Sequence, residues 1–283
     1  MDTMLPSQPE SYRPLINRSF RLYRASFSKV IWPALILSIV IFIPRLISVI
    51  VGQDILATLP AFSPYRLWQI LINLVALMLF IAIMWHMYCE ARGLHEPLVE
   101  DIGKGIRKAV SVFIATIIQS AILFGIAAIM LGIQILLHQY NLLFANNWVG
   151  IIATSIAFIG QFVLLLYVSV LFIFLVPLIA IEDKGILVAL ERSVLLAWNH
   201  WWRVFSVQLT PWISYIILLF LIRFGLGINI HIFFLQDVPH TIWTSLLHLL
   251  IFALFIPWVA ALLLVQIKDL ELRHELARHE QKA

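Results

Sequence analysis

LERSVLLAWNHWWR, residues Leu190–Arg203, decides how the rest of the chain is read. It is too short and too charged to cross a bilayer, which takes about 20 mostly apolar residues. One side of it is too apolar for water. On a helix, Leu187, Leu190, Val194, Ala197, Trp198 and Trp201 share one face, while Arg192, Asn199 and Arg203 share the other, flanked by Ser193 and His200. The spacing predicts a helix lying flat in a membrane interface, rings and aliphatics toward acyl chains and polar groups toward water. Trp198, Trp201 and Trp202 suit that depth, because indole joins an apolar body to one N–H donor.

The same design stands near the start, in LINRSFRLYRASFSKV. Ile16, Phe20, Tyr23 and Phe27 form an apolar face, and Arg18, Arg21, Arg24 and Lys29 crowd the other. A gapless shift of 174 positions places Arg18 and Ser19 on Arg192 and Ser193, Phe27 on Trp201, and Lys29 on Arg203. A shift of 86 places Ile16, Phe20, Tyr23 and Phe27 on Ile102, Ile106, Ala109 and Phe113, with Arg18 and Arg21 on Lys104 and Arg107. The expected plan is three units of an interfacial helix plus two spans, over 12–90, 98–182 and 186–270, within one domain covering 1–283.

Composition agrees with a membrane chain. Of 283 residues, 62% are hydrophobic and 12% charged, with a mean hydropathy of +0.98; soluble domains carry about 25% charged residues. Six stretches are long and apolar enough to span: about Val30–Val51, Leu67–Tyr88, Ala109–Leu137, Trp148–Ile181, Val204–Gly225 and Ile242–Ile267. The fourth is overlong and is expected to tilt or to end near Pro177. One cysteine, Cys89, excludes an intrachain disulfide framework, and the first 29 residues hold no apolar run of signal-peptide length, so no cleavable leader is expected.

Sixteen of the nineteen basic residues fall on the side that receives the two termini and the connections Cys89–Lys108 and Glu182–Arg203. The positive-inside rule then places both termini in the cytoplasm. Attraction to anionic lipid explains this basic edge at about 1 kcal/mol per residue, and nucleic acid is not an expected partner.

Two stripes of small residues, Ala121–Gly125–Ala128–Gly132 on the third span and Gly150–Ala153–Ala157–Gly160 on the fourth, predict a tight hairpin in which two backbones approach closely. Gln119, Gln161, Gln208 and Asn73 lie within spans, where amides seek interhelical partners. No acid lies mid-span, which argues against proton- or cation-coupled transport. Arg45 and Arg223 are expected to reach outward, with Asp54 and Asp237 as candidate partners. His86 and Cys89 stand three apart without further ligands at metal spacing, so no metal or other cofactor is expected. The sequence carries no nucleophile elbow, phosphate loop or zinc signature. A catalytic site would have to come from His86 or His200 with Glu182 or Asp183 at the inner edge, and no catalytic residue is expected.

FLVPLIAIEDKGILVALERSVLLAWNHWWRVF (Phe174–Phe205) resembles a pattern in the YciC-type inner-membrane proteins and in the membrane domain attached to some glycerophosphodiester phosphodiesterases. An apolar span ends in Pro, an acidic-Gly turn follows, and an Ala/Leu-rich helix carries a Ser before an aromatic-basic junction. LLLVQIKDLELRHE (Leu262–Glu275) resembles the final span of the same group. The resemblance implies a six-span helical module loosely connected with envelope or lipid homeostasis. It does not carry over the phosphodiesterase activity, which belongs to a separate soluble domain. The expected function is a non-enzymatic membrane protein that organises phospholipids or partner proteins, as a homo-oligomer or with a membrane-protein partner. The alternative is a small permease or lipid transporter with a polar route between the repeats. Lipid headgroup contacts are expected from Arg18, Arg21, Arg24, Lys29, Arg192, Arg203, Trp198, Trp201 and Trp202.

Overall fold

A computed structural model describes residues 4–51, 64–94, 98–139, 148–230, 232 and 241–280. Helices dominate them: α1 (Tyr12–Val51), α2 (Pro64–Ala91), α3 (Leu98–Gln139), α4 (Trp148–Leu171), α5 (Leu175–Ala180), α6 (Ile186–Trp198), α7 (Trp201–Phe220, prolonged by a π turn over Leu221–Gly225) and α8 (Ile242–Glu280). Six helical stretches are long and apolar enough to cross a membrane, and they include the six expected from sequence. Asp54 and Asp237 lie outside the described residues.

The helix ends follow local chemistry. α2 stops at Gly93, whose φ of 71° suits a residue without a side chain. There the Leu94 N–H bonds the Cys89 carbonyl at 2.8 Å and the Gly93 N–H bonds that of Glu90 at 3.1 Å, a Schellman closure. The overlong fourth span breaks at 172–174, just before Pro177. Continued helix would press the proline ring on the Ile173 carbonyl. After the break Pro177 falls in the first turn of α5, where its missing N–H would have had no helical partner.

Two basic segments differ from the expected plan. α1 and α3 are uninterrupted helices of 40 and 42 residues, so the first two basic segments run straight into their spans; only the third, α6, is separate, parted from α7 at Asn199–His200. The faces differ too. α1 buries Leu15, Ser19, Leu22, Ser26 and Val30, while Phe20 of the expected apolar face is exposed. α3 buries Asp101 (1% exposed), Gly105, Ala109 and Val112, while Ile106 is 56% exposed. Both sides of these helices offer apolar residues, so hydrophobicity does not choose the seam. Small side chains that admit a neighbouring helix do.

The small stripes of the α3–α4 hairpin behave oppositely. A Cβ added at Gly125, Gly132 or Gly160 would meet nothing within 4 Å, and Ala121 and Ala128 are exposed; of the α4 stripe, Gly150 is buried and Ala153 and Ala157 are half-buried. The hairpin is instead joined by Gln134, whose Nε2 donates to Gln161 Oε1 at 2.9 Å. Two residues advance a helix by roughly 200°, so seating Gln134 toward α4 turns Gly132 away. Satisfying two amides outweighs close backbone approach here.

Three apolar clusters hold the molecule together. α1, α2 and α8 share one around Leu22, Met84 and Leu264. A second joins α2, α3, α5, α6 and α8 around Phe174, Leu178 and Ala197. The third lies between α7 and α8 around Tyr215 and Ile251.

Candidate functional site

The end of α2, the stretch Leu264–Glu271 of α8 and the segment before α1 line a common cavity at one end of the bundle. The basic half of α1 crosses that end. Lys29 Nζ stands 3.1 Å from Glu90 on α2, and Arg18 pairs with Glu10, whose N–H bonds Asp269 Oδ1 on α8 at 2.7 Å. The apolar half then runs along α8, with Phe42 against His248 and Phe252.

Asp269 is the centre of a knot. Its carboxylate is fully buried, and it accepts from Arg203 (Nη2 at 2.9 Å), from Arg273 (Nε at 3.0 Å) and from the Glu10 N–H. The same two arginines also donate to the Glu10 carbonyl. A buried carboxylate persists only when paired and hydrogen-bonded, and here both conditions are met.

A second network lies beside it. Arg192 pairs with Glu271 and stands 3.4 Å from Glu182, and Lys268 Nζ is 3.3 Å from Glu271. Burial, with the Glu271 carboxylate adding to it, pushes the Glu182 carboxyl above the usual carboxylate range. Next in the chain, Asp183 adopts a φ of 55°, tolerated by a short polar residue, and faces Lys104 (3.5 Å) and Lys108 of α3. The Lys108 hydrogen bond holds its carboxyl below the usual range. His200, in the α6–α7 link, is held below the usual imidazole range by burial and then by Arg273 and Arg203.

Of the residues expected to contact lipid, Arg18, Lys29, Arg192 and Arg203 are therefore engaged with carboxylates of the chain itself. Trp201 turns inward: its Nε1 donates to the Tyr167 carbonyl at 3.1 Å, and its ring stacks on Tyr167 and Phe205. Arg21 and Arg24 are exposed and make no ion pair among the described residues, as does Arg13 nearby. Trp198 and Trp202 are exposed, Trp202 at 69%.

Sequence reasoning missed a buried pair. His86 Nδ1 lies 2.6 Å from Asp101 Oδ2 across the α2–α3 seam, both side chains almost wholly enclosed. Their other atoms, His86 Nε2 and Asp101 Oδ1, have no hydrogen-bond partner among the described residues. No motif could have announced the pair, because the two residues are 15 apart on different helices. Cys89 is buried nearby in sequence, but His86 is committed to Asp101. Replacing Asp101 with Asn keeps an acceptor and removes the charge, and is expected to lower stability by about 1 kcal/mol. Thermal unfolding in detergent checks this, and an unchanged midpoint would contradict it.

Four span amides pair among themselves, whereas Asn73 is exposed and neither it nor Gln119 makes a hydrogen bond among the described residues. Besides Gln134–Gln161, Gln208 Nε2 donates to Gln266 Oε1 at 2.8 Å, and Gln266 reaches the Val204 carbonyl at 3.3 Å. In the other half of the bundle Tyr215 bonds His248, and Arg45, half-buried, lies near Tyr215. Arg223 sits over the Phe224 ring and donates to the Ile230 carbonyl at 3.4 Å.

No family model, curated protein or solved structure matches this chain.

Proposed function

We propose that this integral membrane protein is a non-enzymatic scaffold of a bacterial cytoplasmic membrane, N-in and C-in, that gathers anionic phospholipid of the inner leaflet around its basic end. The observation that carries the reading is the set Arg13, Arg21 and Arg24, exposed on α1 with no ion pair among the described residues. Cations left over after the internal carboxylates are satisfied have anionic headgroups as their natural counter-ions. Phe20, Trp198 and Trp202 are exposed among the neighbouring segments, as side chains seated at an interface would be. The kinship with the YciC-type proteins belongs to the same proposal and rests on the residues quoted for it. The pairing of Gln134 with Gln161 and of Gln208 with Gln266 supports a scaffold over a transport route lined by these four amides.

Quenching of tryptophan fluorescence by brominated lipid tests it. Replacing Arg21 and Arg24 with Gln is expected to reduce the preference for phosphatidylglycerol over phosphatidylcholine by about fivefold per charge removed. The effect should shrink as salt is raised. An unchanged preference would sink the proposal.

A further inference from the structure

The cavity at the basic end has a volume of about 180 Å³. Its floor includes the aliphatic side chains of Leu264 and Ile181, and its polar wall is Tyr88, Arg92, Lys268, Glu182 and Glu271. Arg92 makes no ion pair among the described residues; its guanidinium rests on the Tyr88 ring, 4.6 Å from the centroid, which leaves its N–H edges open. The Tyr88 hydroxyl has no hydrogen bond among the described residues. Arg192 and Lys268 pair with the two carboxylates, so Arg92, on the same cavity, leaves a surplus of one positive charge. Burial of Glu182 favours its neutral form and enlarges that surplus.

We infer that this cavity binds the phosphodiester of one phospholipid headgroup, held by the Arg92 guanidinium, the Lys268 ammonium and the Tyr88 hydroxyl. The inference deepens the proposed function and rests on it. A phosphodiester supplies acceptor oxygens and the missing negative charge. The aliphatic floor suits the glycerol and first methylenes, which free phosphate lacks. Arg92 follows directly on α2 and Lys268 sits where α8 leaves its apolar run, the level at which a headgroup would meet them. Arg21 and Arg24 are not among its lining residues, so the site is separable from the exposed face of α1.

Native mass spectrometry of the full chain with added phosphatidylglycerol, phosphatidylcholine or inorganic phosphate tests the site. The wild-type protein should retain one phosphatidylglycerol through activation that strips the rest. Arg92→Gln with Lys268→Gln should reduce that adduct by at least about tenfold, and Tyr88→Phe, which keeps the ring, by about threefold. Arg92→Lys should restore part of it. Arg21→Gln with Arg24→Gln should leave it intact. Adduct retained in both Arg92→Gln/Lys268→Gln and Tyr88→Phe overturns the site while leaving the α1 proposal to its own test. If the double variant does not fold, Tyr88→Phe alone decides. Inorganic phosphate displacing the lipid at equal concentration, or phosphatidylcholine retained equally well, overturns the assignment as well.

Discussion

Asp269→Ala is expected to be among the most damaging single substitutions in this chain, lowering stability by about 3–5 kcal/mol. The carboxylate is fully buried and closes the gap between α8, the start of α7 and the segment before α1. Removing it leaves Arg203 and Arg273 facing each other across the Glu10 carbonyl, each at most about a quarter exposed, with no anion between them. Most of the cost is this stranded charge and the lost acceptor for the Glu10 N–H. Asp269→Asn retains an acceptor and should fall between. Two readouts separate this from a general loss of packing. Thermal unfolding in detergent should shift down, and residues before α1 should become protease-sensitive below the unfolding midpoint. A variant as stable and as resistant as wild type would refute the knot.

Gly105→Leu is expected to cost about 3 kcal/mol, the upper end for overpacking. A Cβ at Gly105 would stand 2.5 Å from the Met78 carbonyl oxygen, which is backbone and cannot swing aside. α2 and α3 would have to separate, and the His86–Asp101 bond on the same seam would stretch with them. Gly132→Leu is the control, because an added Cβ there meets open space; it should be near neutral. Equal effects of the two substitutions would contradict the assignment of the seam.

The spans are legible in the sequence because a bilayer imposes one coarse requirement, a long run of apolar residues, and 62% hydrophobic content satisfies it only in blocks between charged joints. The break before Pro177 is legible for a local reason, the proline ring. Which face of a helix packs is not, because apolar side chains surround it. Leu15, Ser19, Leu22 and Val30 are buried, and 174 positions on so are Ala189, Ser193, Leu196 and Val204. Ser19 accepts from Trp258, and Ser193 donates to the Leu171 carbonyl. Eighty-six positions beyond Ser19 stands Gly105. The buried register therefore lies on a face next to the one hydrophobicity singled out. The ionic knots were out of reach for another reason. Glu10 and Asp269 are 259 residues apart, and only folding shows that Arg18, Arg192 and Arg203 spend their charge internally while Arg21 and Arg24 do not.

Single-cysteine labelling tests whether the basic end of the six-span bundle faces the cytoplasmic leaflet. In a Cys89→Ser background, cysteines placed at Arg21, Arg107, Arg278 and Trp148, all exposed, are treated with an impermeant thiol reagent in vesicles of known orientation. The first three are expected to react in inside-out vesicles only and Trp148→Cys in right-side-out vesicles only. Any of the first three reacting from the side that labels Trp148→Cys would contradict that orientation.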